Sequence, residues 1–328
     1  MTATLRPMSL GEILDRAFQI YRARFWVFIG IAAIPVLTYL TFSTTERVLL
    51  LNLSSGKKVL FHMTLSSLVS LASSIGLSEF LWFLAYPAFV YAAARTINGL
   101  PSDFRLTITA VRIRVRAYLA LNLALIAIKI LLPAVLFISS AIGLGLILDS
   151  KPSVLVKAGA YLLFVVFAST LVGFVVWMNL SLSLSFPATV LERITWRESL
   201  MRSFLLTKGG RIRIAMTYTL YFFVAITLML LLMLSITLMT YMMHIRGMAW
   251  HGYPLYKFII SLGTAVISTF LGPIYPIALT LLYYDQRIRN EGYDIERMME
   301  AAGLNAPVTS TNGDSSIAPI KASGGVQA

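Results

Sequence analysis

Apolar residues gather in six long stretches along the chain, at 25–43, 68–94, 117–148, 158–187, 214–243 and 258–284, with short polar segments between them. A helix needs roughly 20 apolar residues to cross a bilayer, and every stretch reaches about that length. Strands of a membrane barrel would instead alternate over about ten residues, which these stretches do not do. The pattern predicts an all-α fold: a polytopic membrane bundle of six transmembrane helices.

The polar segments have a helical period of their own. In "SLGEILDRAFQIYRARF" (9–25), Leu10, Ile13, Leu14, Ala17, Phe18, Tyr21 and Phe25 fall on one stripe, with Glu12, Asp15, Arg16, Gln19 and Arg22 on the other. Ser9 and Glu12 have capping-box spacing, and Glu12 and Arg16 are four apart on one face. Such a helix suits a membrane interface, with Phe25 and Trp26 at headgroup level; packing against the protein's own cytoplasmic segments fits the same stripe. The pattern returns in "TWRESLMRSFLLTKGG" (195–210), where Glu198, Arg202 and Phe204 follow Glu12, Arg16 and Phe18 at one constant offset of 186. "YPAFV" (86–90), "FPATV" (186–190) and "YPIAL" (275–279) recur in the even-numbered stretches. Together they predict three copies of a unit of about 93 residues, each an interfacial helix and two spans, the middle one opening at 104–121 with Ala110 in place of the acid.

Composition sharpens this picture. Only 12% of the 328 residues are charged, and mean hydropathy is +0.80, whereas a soluble domain carries about 25% charged residues. Of the 27 Lys and Arg residues, 19 lie on the side of the N-terminus, 95–116, 188–213 and 285–328, and seven on the other. Cationic loops stay in the cytoplasm, so both termini are expected inside, and the net charge of +13 becomes a band facing anionic lipid headgroups. With no compact basic domain, nucleic acid is not an expected partner. The first apolar stretch lacks an A-x-A-like cleavage site and reads as a retained span. The absence of cysteine excludes disulfides and thiolate metal sites. A bacterial cytoplasmic membrane fits best. Residues 1–300 are expected to form the membrane domain and 301–328 a small-residue, polar, disordered cytoplasmic tail.

Candidate chemistry is sparse. Glu79 is the one acidic residue inside the six stretches, and Lys129 the one basic residue. A lone charge at mid-bilayer costs about 2.5–3.5 kcal/mol on insertion scales. Three readings stand: a buried pair fixing how two spans pack, a polar patch on a solute or proton path, or two charges that never meet. Prolines 35, 87, 133, 187, 273 and 276 lie in or at the ends of five stretches; each removes a helix hydrogen bond. Such kinks occur in transporters and in ordinary bundles alike. His244 and His251 are placed with His62 in outer loops, and with no carboxylate beside them no metal site is expected. No nucleophile elbow, phosphate loop or dinucleotide fingerprint is present, so no cofactor and no enzymatic activity is expected.

"LRPMSLGEILDRAFQIYRARF" near the start and "TLLYYDQRIRNEGYDIERM" (280–298) after the last stretch resemble a bacterial integral membrane family. It is the one named for the membrane domain of glycerophosphoryl diester phosphodiesterases and related to YciC-like proteins. The resemblance covers about residues 5–300 and implies a six-span membrane fold without established biochemical activity. The hydrolase fused to some members needs roughly 250 residues of α/β structure, and none is expected here. The expected function is non-catalytic, organising lipids or membrane-protein partners; the alternative is a small-solute or lipid transporter or permease component.

Overall fold

The computed structural model of the chain describes residues 7–53, 80–82, 84–150, 153–245 and 253–293, with 295 and 299. Its elements are α1 (Leu10–Ala23), α2 (Phe25–Leu53), α3 (Phe80–Ile97), α4 (Phe104–Ile113), α5 (Val115–Ile126), a π-helical turn (Ala127–Leu131) and α6 (Leu132–Asp149). Then come α7 (Val154–Ser181), α8 (Ser185–Leu191), α9 (Trp196–Thr207), α10 (Arg211–Ile245), α11 (Tyr253–Leu271) and α12 (Ile274–Glu291). There is no strand among the described residues.

Among the described residues five helical runs are long and apolar enough to cross a bilayer: Phe80–Ile97, Val115–Asp149, Val154–Leu191, Arg211–Met242 and Phe258–Glu291. A sixth is reached if α1 and the start of α2, which meet at 88°, count as one broken span. The stretch 25–43 is helical but continues to Leu53, past its predicted end. Three other predicted spans are not single helices. The third contains the π turn, the fourth breaks at Leu182–Leu184, and the sixth breaks at Gly272–Pro273. A continuous apolar run conceals such breaks, because hydropathy records what a backbone lies in and not whether it is regular.

The buried core lies at the end where the cationic segments gather. There α1 packs on α12, while α8 and α9 pack on each other, and α12 is buried almost without interruption from Pro276 to Gln286. Ile13, Ala17, Ile20 and Tyr21 of α1 are buried, whereas Phe18 is 49% and Trp26 82% exposed. The stripe predicted on α1 is therefore divided, one part against the protein and one part outside. Toward the opposite end α6, α7 and α10 are flanked by few neighbours, and Val154 and Leu155 are more than four-fifths exposed. Apolar surface on this scale is not stable in water.

A buried carboxylate ties the core end together. Asp285, 0% exposed, accepts from the backbone N–H of Met8 (2.8 Å) and pairs with Arg213 (3.0 Å) and Arg289 (2.9 Å). Arg289 also donates to the Met8 carbonyl (3.0 Å). The start of α1, the first turn of α10 and α12 are thus joined at one side chain. A second cluster lies nearby. Arg202 of α9 pairs with Glu192 after α8 (2.9 Å) and donates to Glu291 of α12 (2.7 Å), and the Tyr283 hydroxyl donates to Glu192. Burial alone would pull the Arg202 guanidinium down, but its hydrogen bonds to Glu192 and Glu291 and their charges outweigh that and hold it above the usual arginine value. Arg114, between α4 and α5, donates to the carbonyls of Arg193 (2.6 Å) and Ile194 (3.3 Å) just beyond α8.

Two capping boxes start α1 and α9. Glu12 accepts from the Ser9 N–H (2.7 Å) and Ser9 Oγ from the Glu12 N–H (3.3 Å); Glu198 accepts from the Thr195 N–H (2.9 Å). The hydrogen bond from the Thr195 backbone holds the Glu198 carboxyl below its usual value. A carboxylate depressed in the fold stabilises it above the unfolded value, about 4.3, and that contribution fades as pH falls. Amide-exchange protection of α9 should drop on acidification below about pH 4, and Glu198→Gln should remove that dependence. For the larger junction, Asp285→Asn should cost about 2–4 kcal/mol, because it removes the buried negative charge that pairs two guanidinium groups. Chemical denaturation in detergent micelles measures the loss.

Candidate functional site

Where the packed end meets the open end, α3, α5, α7, α10, α11 and α12 surround a cavity of about 490 Å³. Its floor is hydrophobic. Leu125 and Leu279 lie there with the Tyr86 and Phe186 rings, 4.9 Å apart between centroids. Tyr86 also packs against all three hydrophobic clusters of the core, so the cavity is closed toward the cationic end. Tyr218, Tyr221 and Tyr275 form one wall, with the Tyr221 and Tyr275 centroids 5.2 Å apart. Asn179, Ser183 and Ser268 add polar groups. Among the described lining residues Lys129 is the one charged side chain, and no carboxylate faces it there.

Three backbone carbonyls beside the cavity lack their regular helical donor. A proline cannot donate an amide hydrogen to the carbonyl four residues earlier, and its ring crowds that carbonyl. Pro133, Pro187 and Pro276 stand in this relation to Lys129, Ser183 and Gly272. All three of those residues line the cavity. Each of the three breaks described above stands one turn before one of these prolines, and all three lie at the cavity. At Pro133 the helix widens into the π turn that carries Lys129. At Pro187 the chain turns through Leu182–Leu184, and Ser203 of α9 closes the ends: it accepts from the Leu184 N–H (3.2 Å) and donates to the Ser181 carbonyl (2.8 Å). At Gly272 a Cβ would come 2.3 Å from the Trp82 ring and 2.5 Å from the Ser268 carbonyl, so only glycine fits. Irregular backbone at membrane depth is stable where it lines a cavity or is buried in protein.

Beneath the cavity floor, fully buried Asn122 of α5 has neither amide atom paired, and Ser181 Oγ is also unpaired among the described residues. Buried polar atoms of this kind mark sites that ordered water occupies.

The residues singled out in the sequence separate into groups. Lys129 is in the cavity, near the middle of the 35-residue run Val115–Asp149. Glu79 lies outside the described residues; in sequence it is three positions before Trp82, which lines the cavity. Glu12 and Glu198 serve as helix caps. Arg16 donates to Gln19 (3.3 Å), and Phe204 packs edge-on against Trp177 with Arg211 over its face. Arg202 belongs to the half-buried ion cluster with Glu192 and Glu291. None of these lies in the cavity except Lys129. His244 is in the last turn of α10 and not in a loop, while His62, His251 and the tail 301–328 lie outside the described residues. No group of metal-ligating side chains occurs among the described residues.

Sequence reading missed Asp285, Arg213 and Arg289 as a junction, Glu192 as the partner of Arg202, and the three tyrosines as one wall. The signal for the breaks was present: Gly272-Pro273 is a turn-forming dipeptide, and each proline marks its own carbonyl. Comparisons with protein-family models, with curated proteins and with solved structures return no match.

The readings of Lys129 are separable by experiment. If Glu79 neutralises it, Glu79→Gln and Lys129→Met should each destabilise the protein, and the double variant should recover most of the loss, a coupling of about 1–3 kcal/mol. If the cavity is occupied by something else, the two effects should add. Thermal unfolding of the four proteins in detergent gives the answer.

Proposed function

We propose that this chain is a non-catalytic integral membrane protein that draws an amphiphile or small solute from the bilayer into the cavity at Lys129, acting as a carrier or permease component. The observation that supports this reading is the convergence of three backbone breaks, each beside a proline, on one cavity with a single cation among its described lining residues. Transporters build their sites from broken helices at mid-membrane in this way, whereas a bundle that only packs has no need to bring its breaks together.

The topology that accompanies this proposal has six spans and both termini in the cytoplasm of a bacterial cell, with the cationic band against anionic headgroups. The unit of interfacial helix, span and span is proposed to occur three times. In support, short helices α1, α4 and α9 each precede a long one, and α1 and α9 both contact α12. Membership in the family named for the phosphodiesterase membrane domain is likewise a proposal. Its support is that the two motifs carrying the resemblance meet in space, through Met8, Asp285 and Arg289.

A second reading, an organiser of lipids or partner proteins, draws on the exposed Phe18 and Trp26 beside the cationic end. Vesicle reconstitution distinguishes the two. A carrier should speed the exposure of an inner-leaflet fluorescent lipid to an external quencher, and the paired change Pro187→Ala with Pro276→Ala should slow it again. No acceleration by the native protein would favour the organiser. For orientation, a cysteine at Ser153 should react with an impermeant reagent outside the cell, and one at Lys208 should not.

A further inference from the structure

We infer that the cavity's ligand is the headgroup of a phospholipid with one anionic phosphodiester and its own O–H or N–H donors. The inference rests on the carrier reading above and specifies its substrate class.

The charge sets the first condition. Lys129 is the one charged group among the described lining residues, and a single ammonium balances one negative charge. A phosphomonoester dianion would bring a second charge into a site of low dielectric with nothing to pair it, which is costly. Among the described lining residues nothing would balance the ammonium beside a neutral ligand. The phosphodiester monoanion matches.

The backbone sets the second condition. The carbonyls of Lys129, Ser183 and Gly272 each lose their regular helical donor to a proline. Carbonyls accept and never donate. A headgroup that supplies hydroxyl or ammonium hydrogens satisfies them, and one capped with methyl groups does not. Phosphatidylglycerol therefore fits where phosphatidylcholine fails.

Size and surroundings set the third. About 490 Å³ holds roughly sixteen waters at about 30 Å³ each, enough for a headgroup but not for a whole lipid. The acyl chains must then lie elsewhere, and the exposed apolar faces of α6, α7 and α10 are beside the cavity to receive them. A free soluble phosphate ester would have no use for those faces.

The native chain has no cysteine, so Ser183→Cys introduces one reactive probe into the cavity. The variant is reconstituted in phosphatidylcholine vesicles and treated with methyl methanethiosulfonate. Salt is kept near 0.5 M, where the screening length is below about 8 Å and surface arginines contribute little. The expected result is ready modification in phosphatidylcholine and about tenfold slower modification when phosphatidylglycerol is included, a difference that corresponds to about 1.4 kcal/mol. Adding Lys129→Met should abolish the protection. Equal rates in the two lipids, or protection that survives Lys129→Met, would overturn the headgroup assignment and leave the cavity standing. Protection by dissolved glycerol phosphate as strong as that by the lipid would overturn the lipid source. A cysteine that never reacts, in any lipid or in detergent, would remove the carrier reading itself and this inference with it.

Discussion

The buried carboxylate of Asp285 is the constraint on which the rest of the architecture depends. It has no exposure, and it meets the Met8 N–H and the Arg213 guanidinium from segments far apart in sequence, with Arg289 one turn along its own helix. In a medium where apolar side chains gain little by touching one another instead of lipid, helix association relies on packing and polar contacts. Removing such a carboxylate from water is costly, so the site is stable only when α1, α10 and α12 all supply their partners. That condition gives the cationic end one arrangement. The cluster of Glu192, Arg202 and Glu291 adds α8 and α9 to it.

A rigid end of this kind allows the other end to be open. The floor of the cavity is the roof of the packed core, with Tyr86 belonging to both. Above it the helices diverge. The hydroxyl of Ser203 fastens α9 to both sides of the Leu182–Leu184 turn. An amphipathic helix at the cationic end holds a backbone break that faces the cavity, so any movement of α9 would act on the site directly.

The helices were legible in the sequence and the site was not, for a physical reason. Capping boxes, amphipathic stripes and apolar runs are local, determined by residues three, four or twenty positions apart. Ser9 with Glu12 and Thr195 with Glu198 form such local motifs, and the structure keeps them. Asp285 has partners 72 and 277 positions away, and no periodicity encodes that distance. Arg202 illustrates the cost: from its own helix it reads as a surface charge, and only its partners Glu192 and Glu291 on other segments make it part of a half-buried cluster. The prolines are the intermediate case. Each names the carbonyl it releases, but that the three carbonyls share one cavity is a property of the fold.

Where prolines release main-chain carbonyls beside a cavity, alanine scanning of its walls under-reports what those carbonyls do. No side-chain replacement deletes a carbonyl. The genetic handles on these groups are the prolines one turn further along, and Pro133 and Pro187 are not among the residues that line the cavity. A mutational map of this protein would place its most consequential positions outside the site they govern.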